Sequence, residues 1–224
     1  MTVTVPVAES HGGQLIKVLI VDDHRLVREG LKKILAETRD IVVAGEADGG
    51  HEALQKTRKT DYDVIILDIS MAGKSGIEVL DELKKEKPKS QVLIVGMHPE
   101  EQYALRAMKS GAAGYLTKES TPAELIDAIH RVAAGKRYLT PAIAEYLALA
   151  VQTDGSKPLH EKLSNREYQI FCMIAKGKTV SGIATDLILS SKTVSTYRAR
   201  VLQKMGMKNN SELIYYAVKN DLVV

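Results

Sequence analysis

Residues 64–71 have the sequence Val-Ile-Ile-Leu-Asp-Ile-Ser-Met, an apolar run that is closed by an acid. A short unbroken run of Val, Ile and Leu is typical of a strand that is buried on both faces. Comparable runs occur at residues 18–21, 41–44 and 92–95, and a shorter one lies at 114–116. Segments whose apolar residues recur at helical spacing separate these runs. Five alternations of strand and helix predict an α/β fold with a parallel, doubly wound sheet and helices on both faces.

Acidic residues follow two of the predicted strands directly. Asp22 and Asp23 come after the first run, Asp68 closes the third, and Lys118 follows the fifth. The carboxyl ends of strands in a doubly wound sheet converge on one crevice, so we expect these side chains to meet there. A single aspartate after a strand is also a common turn residue, but the coincidence of all four favours a site.

Three neighbouring carboxylates require a cation, and a set of oxygen ligands is what Mg²⁺ prefers. Such a site has the parts for phosphoryl transfer to a carboxylate. Asp68 is the candidate nucleophile, Mg²⁺ would neutralise the phosphoryl oxygens, and Lys118 would pair with the new anion.

The strand pattern disappears in the last third of the chain, where residues 164–221 predict four helices. Breaks are expected near Gly177, at residues 189–191 and at residues 206–207. Two short helices joined by a tight turn, the second of which follows a serine cap, are typical of a helix-turn-helix.

The third of these helices has one apolar face and one polar face with cations at its edges. No acid lies between Lys192 and Lys208, and residues 161–210 contain nine Lys or Arg against three acids, although the whole chain carries only +3. This distribution predicts a helix that enters the major groove of DNA, with an ordinary solvated surface as the alternative. The candidate DNA-contacting residues are Lys192, Thr193, Ser195, Thr196, Tyr197, Arg198, Ala199 and Arg200.

The expected organisation has four parts. Residues 1–15 are an N-terminal extension, 16–135 the α/β domain, 136–159 a linker with a helix at about 140–151, and 160–224 the all-α domain. The chain has no apolar run of the ~20 residues that cross a bilayer and no signal-like start, which predicts a cytoplasmic protein without a membrane contact.

Residues 18–23, 64–71 and 114–118 resemble the three signature blocks of response-regulator receiver domains. The resemblance extends from about residue 16 to residue 135 and implies a flavodoxin-like (βα)5 receiver. It also implies that Asp68 accepts a phosphoryl group from a sensor histidine kinase.

The same resemblance assigns the ligands of the site. Asp23, Asp68 and the main-chain carbonyl of Ser70 would hold Mg²⁺, and Asp22 would assist through water. Lys118 would contact the phosphoryl group.

Residues 163–198 resemble the LuxR-type DNA-binding domain, a four-helix helix-turn-helix domain that would cover about 160–222. A receiver followed by this domain is the arrangement of the NarL/FixJ class of response regulators. The resemblance implies a transcription regulator rather than an enzyme, with DNA, the sensor kinase and RNA polymerase as partners. It further implies a homodimer in the active or DNA-bound form, with the last helix contributing to the dimer contact.

One position departs from the receiver pattern in a way that bears on switching. Gly96 follows the fourth predicted strand, at a position where receivers usually have Ser or Thr. We take Gly96 and Tyr115 as the two switch positions. One interpretation is a protein whose DNA binding depends weakly or not at all on phosphorylation. The other is that a backbone N–H or a water replaces the missing hydroxyl.

Two other classes of function are compatible with parts of the sequence. The C-terminal helices could bind a partner protein, but the acid-free third helix argues for DNA. A phosphatase with an aspartate nucleophile needs a second acid two residues later, and Ser70 occupies that position.

Overall fold

The computed structural model describes residues 15–96, 100–141, 143–145, 148, 158–220 and 222. The predicted N-terminal extension, apart from Leu15, and most of the polar segment of the linker lie outside these ranges. Of the helix predicted at about 140–151, residues 141, 143–145 and 148 are described and are helical.

Five parallel strands form one sheet in the order β2-β1-β3-β4-β5, which places β1 and β3 side by side in its middle. The α/β doubly wound fold that the sequence predicts is thereby confirmed. The strands are β1 Ile16–Val21, β2 Ile41–Ala47, β3 Val64–Asp68, β4 Gln91–Gly96 and β5 Gly114–Thr117.

Five helices alternate with these strands and cover both faces of the sheet. Two of them begin with a full capping box, in which Ser75 and Thr121 accept from the backbone of a glutamate three residues later. The helices are α1 Arg25–Ala36, α2 Gly50–Lys59, α3 Gly76–Glu86, α4 Glu100–Lys109 and α5 Pro122–Ala133.

Alternate side chains of the central strands enter two separate cores. Val18 and Ile20 pack with α1 and α5, whereas Leu19 and Val21 pack with α2, α3 and α4. The apolar spacing of α1 predicts one buried face formed by Leu26, Gly30, Leu31, Ile34 and Leu35. Leu31, Ile34 and Leu35 pack in the core, but the prediction is wrong for Leu26, which is 85 % exposed.

The C-terminal part is all-helical, as predicted, and each of its four α-helices begins at a side-chain cap. Ser164, Thr179, Ser190 and Asn209 each accept a backbone N–H from the first turn of the helix that follows. A short 3₁₀ helix, Leu159–Lys162, precedes α6 Asn165–Ala175, α7 Val180–Asp186, α8 Ser191–Met205 and α9 Asn210–Lys219. Within the described ranges, no helix is long and apolar enough to span a membrane.

Arg106 of α4 holds the two halves of the molecule together. Its guanidinium donates to the carbonyls of Leu163 and His160 at 2.9 and 2.5 Å, and it lies 4.0 Å from the ring centre of Tyr168. Burial is the main cause that lowers the pKa of His160, to about 4, so this residue contributes a neutral ring to the contact. The receiver-like domain and the helical domain therefore share one continuous apolar core.

Gly76 and Gly30 give a matched test of this architecture. A Cβ at Gly76 would lie 2.0 Å from the backbone oxygen of Asp68, whereas a Cβ at Gly30 would meet no atom within 4 Å. We expect Gly76→Ala to destabilise the protein by about 3 kcal/mol or more, because backbone cannot move aside cheaply. Gly30→Ala should stabilise it by roughly 0.5–1 kcal/mol. Equilibrium unfolding in urea measures both, and equal effects would contradict the packing described for β3 and α3.

Candidate functional site

The acids predicted at the strand ends do meet in the structure. β1 and β3 pair in register from Val18↔Val64 to Val21↔Leu67, so the residues that follow β1 lie beside the end of β3. One ligand atom from each of Asp22, Asp23, His24 and Asp68 lies within 4.8 Å of the others. Asp22 and Asp68 are almost completely buried. His24 was not expected from the sequence, although it directly follows the acid pair.

Lys118 is the cation of this cluster. Its Nζ lies 2.7 Å from Asp22 Oδ2 and 3.3 Å from Asp68 Oδ1, and its backbone N–H donates to the carbonyl of Gly96. Burial lowers the pKa of Lys118, but the hydrogen bond to Asp22 and the charge of Asp68 outweigh it, so the pKa is raised. The lysine is therefore charged and held between two of the three carboxylates.

The electrostatic state of Asp68 fits a site that takes a cation or a covalent substituent. Burial raises the pKa of Asp68 to about 6, against the lowering effect of Lys118, and Asp22 adds to the rise. Hydrogen bonds from Lys118 and from the backbone of Ser70 lower the pKa of Asp68 but do not offset the effect of burial. A buried group of carboxylates with one lysine as its cation is suited to ligate a hard cation.

The loop after β3 connects this cluster with the helix-turn-helix. Ser70 lies partly buried in the loop, Ala72 donates its N–H to Asp23 Oδ2 at 2.8 Å, and Gly73 donates to the carbonyl of Leu187 at 3.2 Å. Leu187 lies in the turn between α7 and α8. Gly73 has a φ of +75°, a conformation that favours glycine. No sequence pattern indicated this contact, because it joins residues far apart in the chain.

The two switch positions lie next to each other. Gly96 ends β4 and is buried, and Tyr115 of β5 is completely buried one strand away. The phenol oxygen of Tyr115 occupies the space where a side chain of residue 96 would begin.

Helix α8 presents most of the predicted DNA-contacting residues to solvent. Arg198 is partly buried and donates to Asn210 Oδ1 at 2.6 Å, a contact between α8 and α9. The hydroxyl of Thr193 lies 2.8 Å from that of Ser190, the N-cap residue of α8. Half-buried Tyr197 packs against the core. The exposed members of the predicted set are Lys192, Ser195, Thr196, Ala199 and Arg200.

Comparison with known families agrees with both halves of this description. Residues 18–130 match the family described as "Response regulator receiver domain". Residues 161–217 match the family described as "Bacterial regulatory proteins, luxR family".

Two bacterial response regulators align with nearly the whole chain. The response regulator GacA of Pseudomonas aeruginosa is 40% identical over 210 residues, which cover 93% of this chain and 98% of GacA. The response regulator UvrY of Escherichia coli is 37% identical over 209 residues, 93% of this chain and 96% of UvrY. A structure of two RcsB dimers bound to two parallel DNAs is 25% identical, with a TM-score of 0.57, and covers 92% of this chain and 98% of that chain. The chain belongs to the NarL/FixJ class of two-component response regulators, which regulate transcription through a receiver domain and a LuxR-type DNA-binding domain.

Proposed function

We propose that Asp68 accepts a phosphoryl group from a sensor histidine kinase and that this modification modulates sequence-specific DNA binding by α8. The observation that carries the proposal is the cluster of Asp22, Asp23 and buried Asp68 against Lys118, whose Nζ lies 2.7 Å from Asp22 Oδ2 and 3.3 Å from Asp68 Oδ1. Membership of the response-regulator family supports the assignment of this cluster as the phosphorylation site.

The chemistry follows from the positions of the charges. The carboxylate of Asp68 attacks the phosphorus of the kinase's phosphohistidine as the P–N bond breaks, and the histidine leaves as its imidazole. Lys118 then pairs with the oxygens of the transferred phosphoryl group. Asp23, Asp68 and the carbonyl of Ser70 are the proposed Mg²⁺ ligands, and Asp22 assists while it holds Lys118 in place. When bound, Mg²⁺ supplies positive charge that offsets the phosphoryl oxygens.

The remaining parts of the proposal concern the whole protein. We propose that it has no enzymatic turnover, because Ser70 stands where an aspartate-based phosphatase needs its second acid. The proposed domain boundaries are 16–135 for the receiver, 136–159 for the linker and 160–224 for the DNA-binding domain. We propose that it is a cytoplasmic regulator and that RNA polymerase is among its partners.

DNA binding is assigned to the exposed surface of α8. Lys192 lies in its first turn, where the helix dipole also favours phosphate, and Arg200 lies two turns later on the solvent side. Ser195, Thr196 and Ala199 between them are small enough to approach base edges. The receiver leaves these residues exposed, so DNA can reach them without separation of the domains.

A homodimer on DNA is supported by the last helix and by the RcsB dimers on DNA. Leu213 and Ala217 of α9 are core residues, whereas Ile214, Tyr215 and Val218 are exposed on the outer side. Three exposed apolar side chains at spacings of one to four residues form a surface suited to a second copy. The apolar residues of this helix therefore divide into a core set and a set proposed for the dimer contact.

The first prediction concerns the charge on Asp68. Because folding raises its pKa to about 6 from an unfolded value near ~4, ionised Asp68 lowers the stability of the Mg²⁺-free protein. We expect Asp68→Asn to stabilise the Mg²⁺-free protein at pH 7 by on the order of 2–3 kcal/mol. The gain should disappear as the pH falls from about 6 to about 4, since wild type then becomes neutral at this position.

Thermal unfolding of wild type and Asp68→Asn with a metal chelator, at several pH values, measures this gain in stability. The control is Asp127→Asn, which removes an exposed carboxylate from α5. Mg²⁺ should stabilise wild type but not Asp68→Asn. A gain that is independent of pH would contradict the assignment of a charged, buried Asp68.

The second prediction tests the function itself. A DNA duplex selected by wild type from a random-sequence pool serves as the probe, and beryllofluoride with Mg²⁺ mimics the phosphoryl group. We expect beryllofluoride to change the dissociation constant about 5- to 150-fold, the usual range of coupling between two sites. Asp68→Ala should bind the duplex with no response. A change of less than about twofold in wild type would favour a DNA-binding protein that is not switched by phosphorylation.

The third prediction distinguishes a DNA contact made by α8 from a general effect of positive charge on the protein surface. We expect Arg200→Ala to weaken binding and to reduce the slope of log K against log salt by about 1, as loss of one phosphate contact does. Lys85→Ala removes an exposed cation from α3 of the receiver and should leave the slope unchanged. Equal slopes for both variants would place the DNA surface elsewhere.

A further inference from the structure

A side chain of α1 is bonded to the backbone of the acidic cluster. Arg28 Nη1 donates to the carbonyl of Asp22 at 2.7 Å. That carbonyl belongs to the peptide group that joins Asp22 to Asp23. The N–H of Asp22 donates in turn to the carbonyl of Ala47 in β2, at 3.2 Å. The main chain of Asp22 is therefore held on both sides, once by α1 and once by β2.

The peptide between the two acids sets how far apart their carboxylates lie. Asp22 Oδ2 lies 2.7 Å from Lys118 Nζ, whereas Asp23 Oδ2 accepts the N–H of Ala72 at 2.8 Å, in the loop after β3. The first acid thus holds the cation of the site, and the second is a proposed Mg²⁺ ligand. A rotation of this peptide would move one carboxylate relative to the other, and the bond from Arg28 opposes that rotation.

Glu46 of β2 holds the guanidinium in place. Its Oε2 lies 3.4 Å from Arg28 Nε, and its Oε1 lies 2.8 Å from the Nζ of Lys32, one turn later on α1. The hydrogen bond from Lys32 is the main cause that lowers the pKa of Glu46, against the effect of burial, and Arg28 adds to the lowering. Glu46 is therefore a carboxylate at neutral pH, and its charge partly offsets that of Arg28.

A β-bulge in β2 is the reason that Glu46 lies on the α1 side of the sheet. The pairing of β1 with β2 shifts by one residue after Val18. Ile41, before the shift, belongs to the core that contains α1 and α5, whereas Ala47, after it, belongs to the opposite core. Both positions are odd-numbered, so in a regular strand their side chains would share one face. The bulge has exchanged the faces, and without it Glu46 would point away from Arg28.

We propose that Arg28 is a positioning residue of the Asp68 site, which fixes the Asp22–Asp23 peptide in the geometry that binds Mg²⁺. The proposal rests on the proposed function for the role of the site, but binding of Mg²⁺ can be measured without transfer of a phosphoryl group. Charge alone gives the opposite expectation. A cation near a divalent-metal site repels the metal, so loss of Arg28 would then increase the affinity for Mg²⁺. Positioning predicts that the same loss decreases it.

The test is a Mg²⁺ titration of the full chain. The rise of the midpoint of thermal unfolding with Mg²⁺ concentration gives the dissociation constant. We expect Arg28→Met to raise this constant about 10- to 100-fold, as loss of a group that orients a metal ligand does. Arg28→Gln is a second variant, whose shorter side chain does not reach the Asp22 carbonyl, and it should raise the constant by a similar factor. An unchanged or lower constant in these variants would overturn the proposal.

Two controls separate this effect from loss of charge and from loss of an ion pair. Lys32→Met removes the other cation that binds Glu46, from the same helix, and should leave the constant unchanged or lower it. Arg58→Met removes an arginine of α2 that donates to Glu86 of α3 at 2.8 Å, and it should leave the constant unchanged. If either control raises the constant as much as Arg28→Met does, the effect is not specific to the Asp22 carbonyl and the proposal fails.

The readout keeps this proposal distinct from the proposed function. If Mg²⁺ binds wild type and the variants as expected but acetyl phosphate does not phosphorylate Asp68, the proposed function fails and the positioning role stands. If Asp68 is phosphorylated and Arg28→Met binds Mg²⁺ as tightly as wild type or more tightly, the positioning role alone fails. If Mg²⁺ does not stabilise wild type, both fail.

Discussion

The other features depend on one interaction, the burial of the Asp68 carboxylate beside Asp22 and Asp23. Lys118 supplies the single positive charge that faces these three acids. Three acids near one cation leave excess negative charge in a desolvated place, and burial raises the pKa of Asp68 to about 6 as a result. Such a site is stabilised by a divalent cation, because the cation offsets the excess negative charge. The parallel sheet creates the site, because adjacent strands β1 and β3 end at the same edge.

The same edge of the sheet contacts the DNA-binding domain. The loop after Asp68 buries Ile69 and Met71 in the core. Its Ala72 donates to Asp23 Oδ2, and its Gly73 donates to the carbonyl of Leu187, in the turn before α8. On the other side of the interface, Arg106 binds backbone carbonyls at the start of the helical domain. Asp23 of the acidic cluster is therefore linked through the backbone of Ala72 and Gly73 to the turn before α8, while the outer side of that helix stays exposed.

Much of this arrangement follows from local sequence. Apolar runs of four residues predict the strands, and the acids that follow two of these runs predict the cluster, since strand ends in a doubly wound sheet converge. Ser and Thr caps predict where α5 and α6 begin. The features that the sequence does not predict join distant residues: Gly73 meets Leu187, Arg198 is held by Asn210, and Tyr115 fills the space beside a glycine. These contacts depend on how helices and strands pack against one another, and a local sequence pattern does not predict that packing.

Gly96 illustrates the difference. Taken alone, it indicates a missing hydroxyl and a weakened switch, whereas the structure shows that Tyr115 of the next strand lies where a side chain of residue 96 would begin. Hydrogen–deuterium exchange of the full chain, with and without beryllofluoride and Mg²⁺, tests the central claim that the state of Asp68 reaches the DNA-binding domain. The account predicts changed exchange both in the loop of residues 69–76 and in residues 183–190, and none in Asp68→Ala. A change confined to the receiver would contradict it.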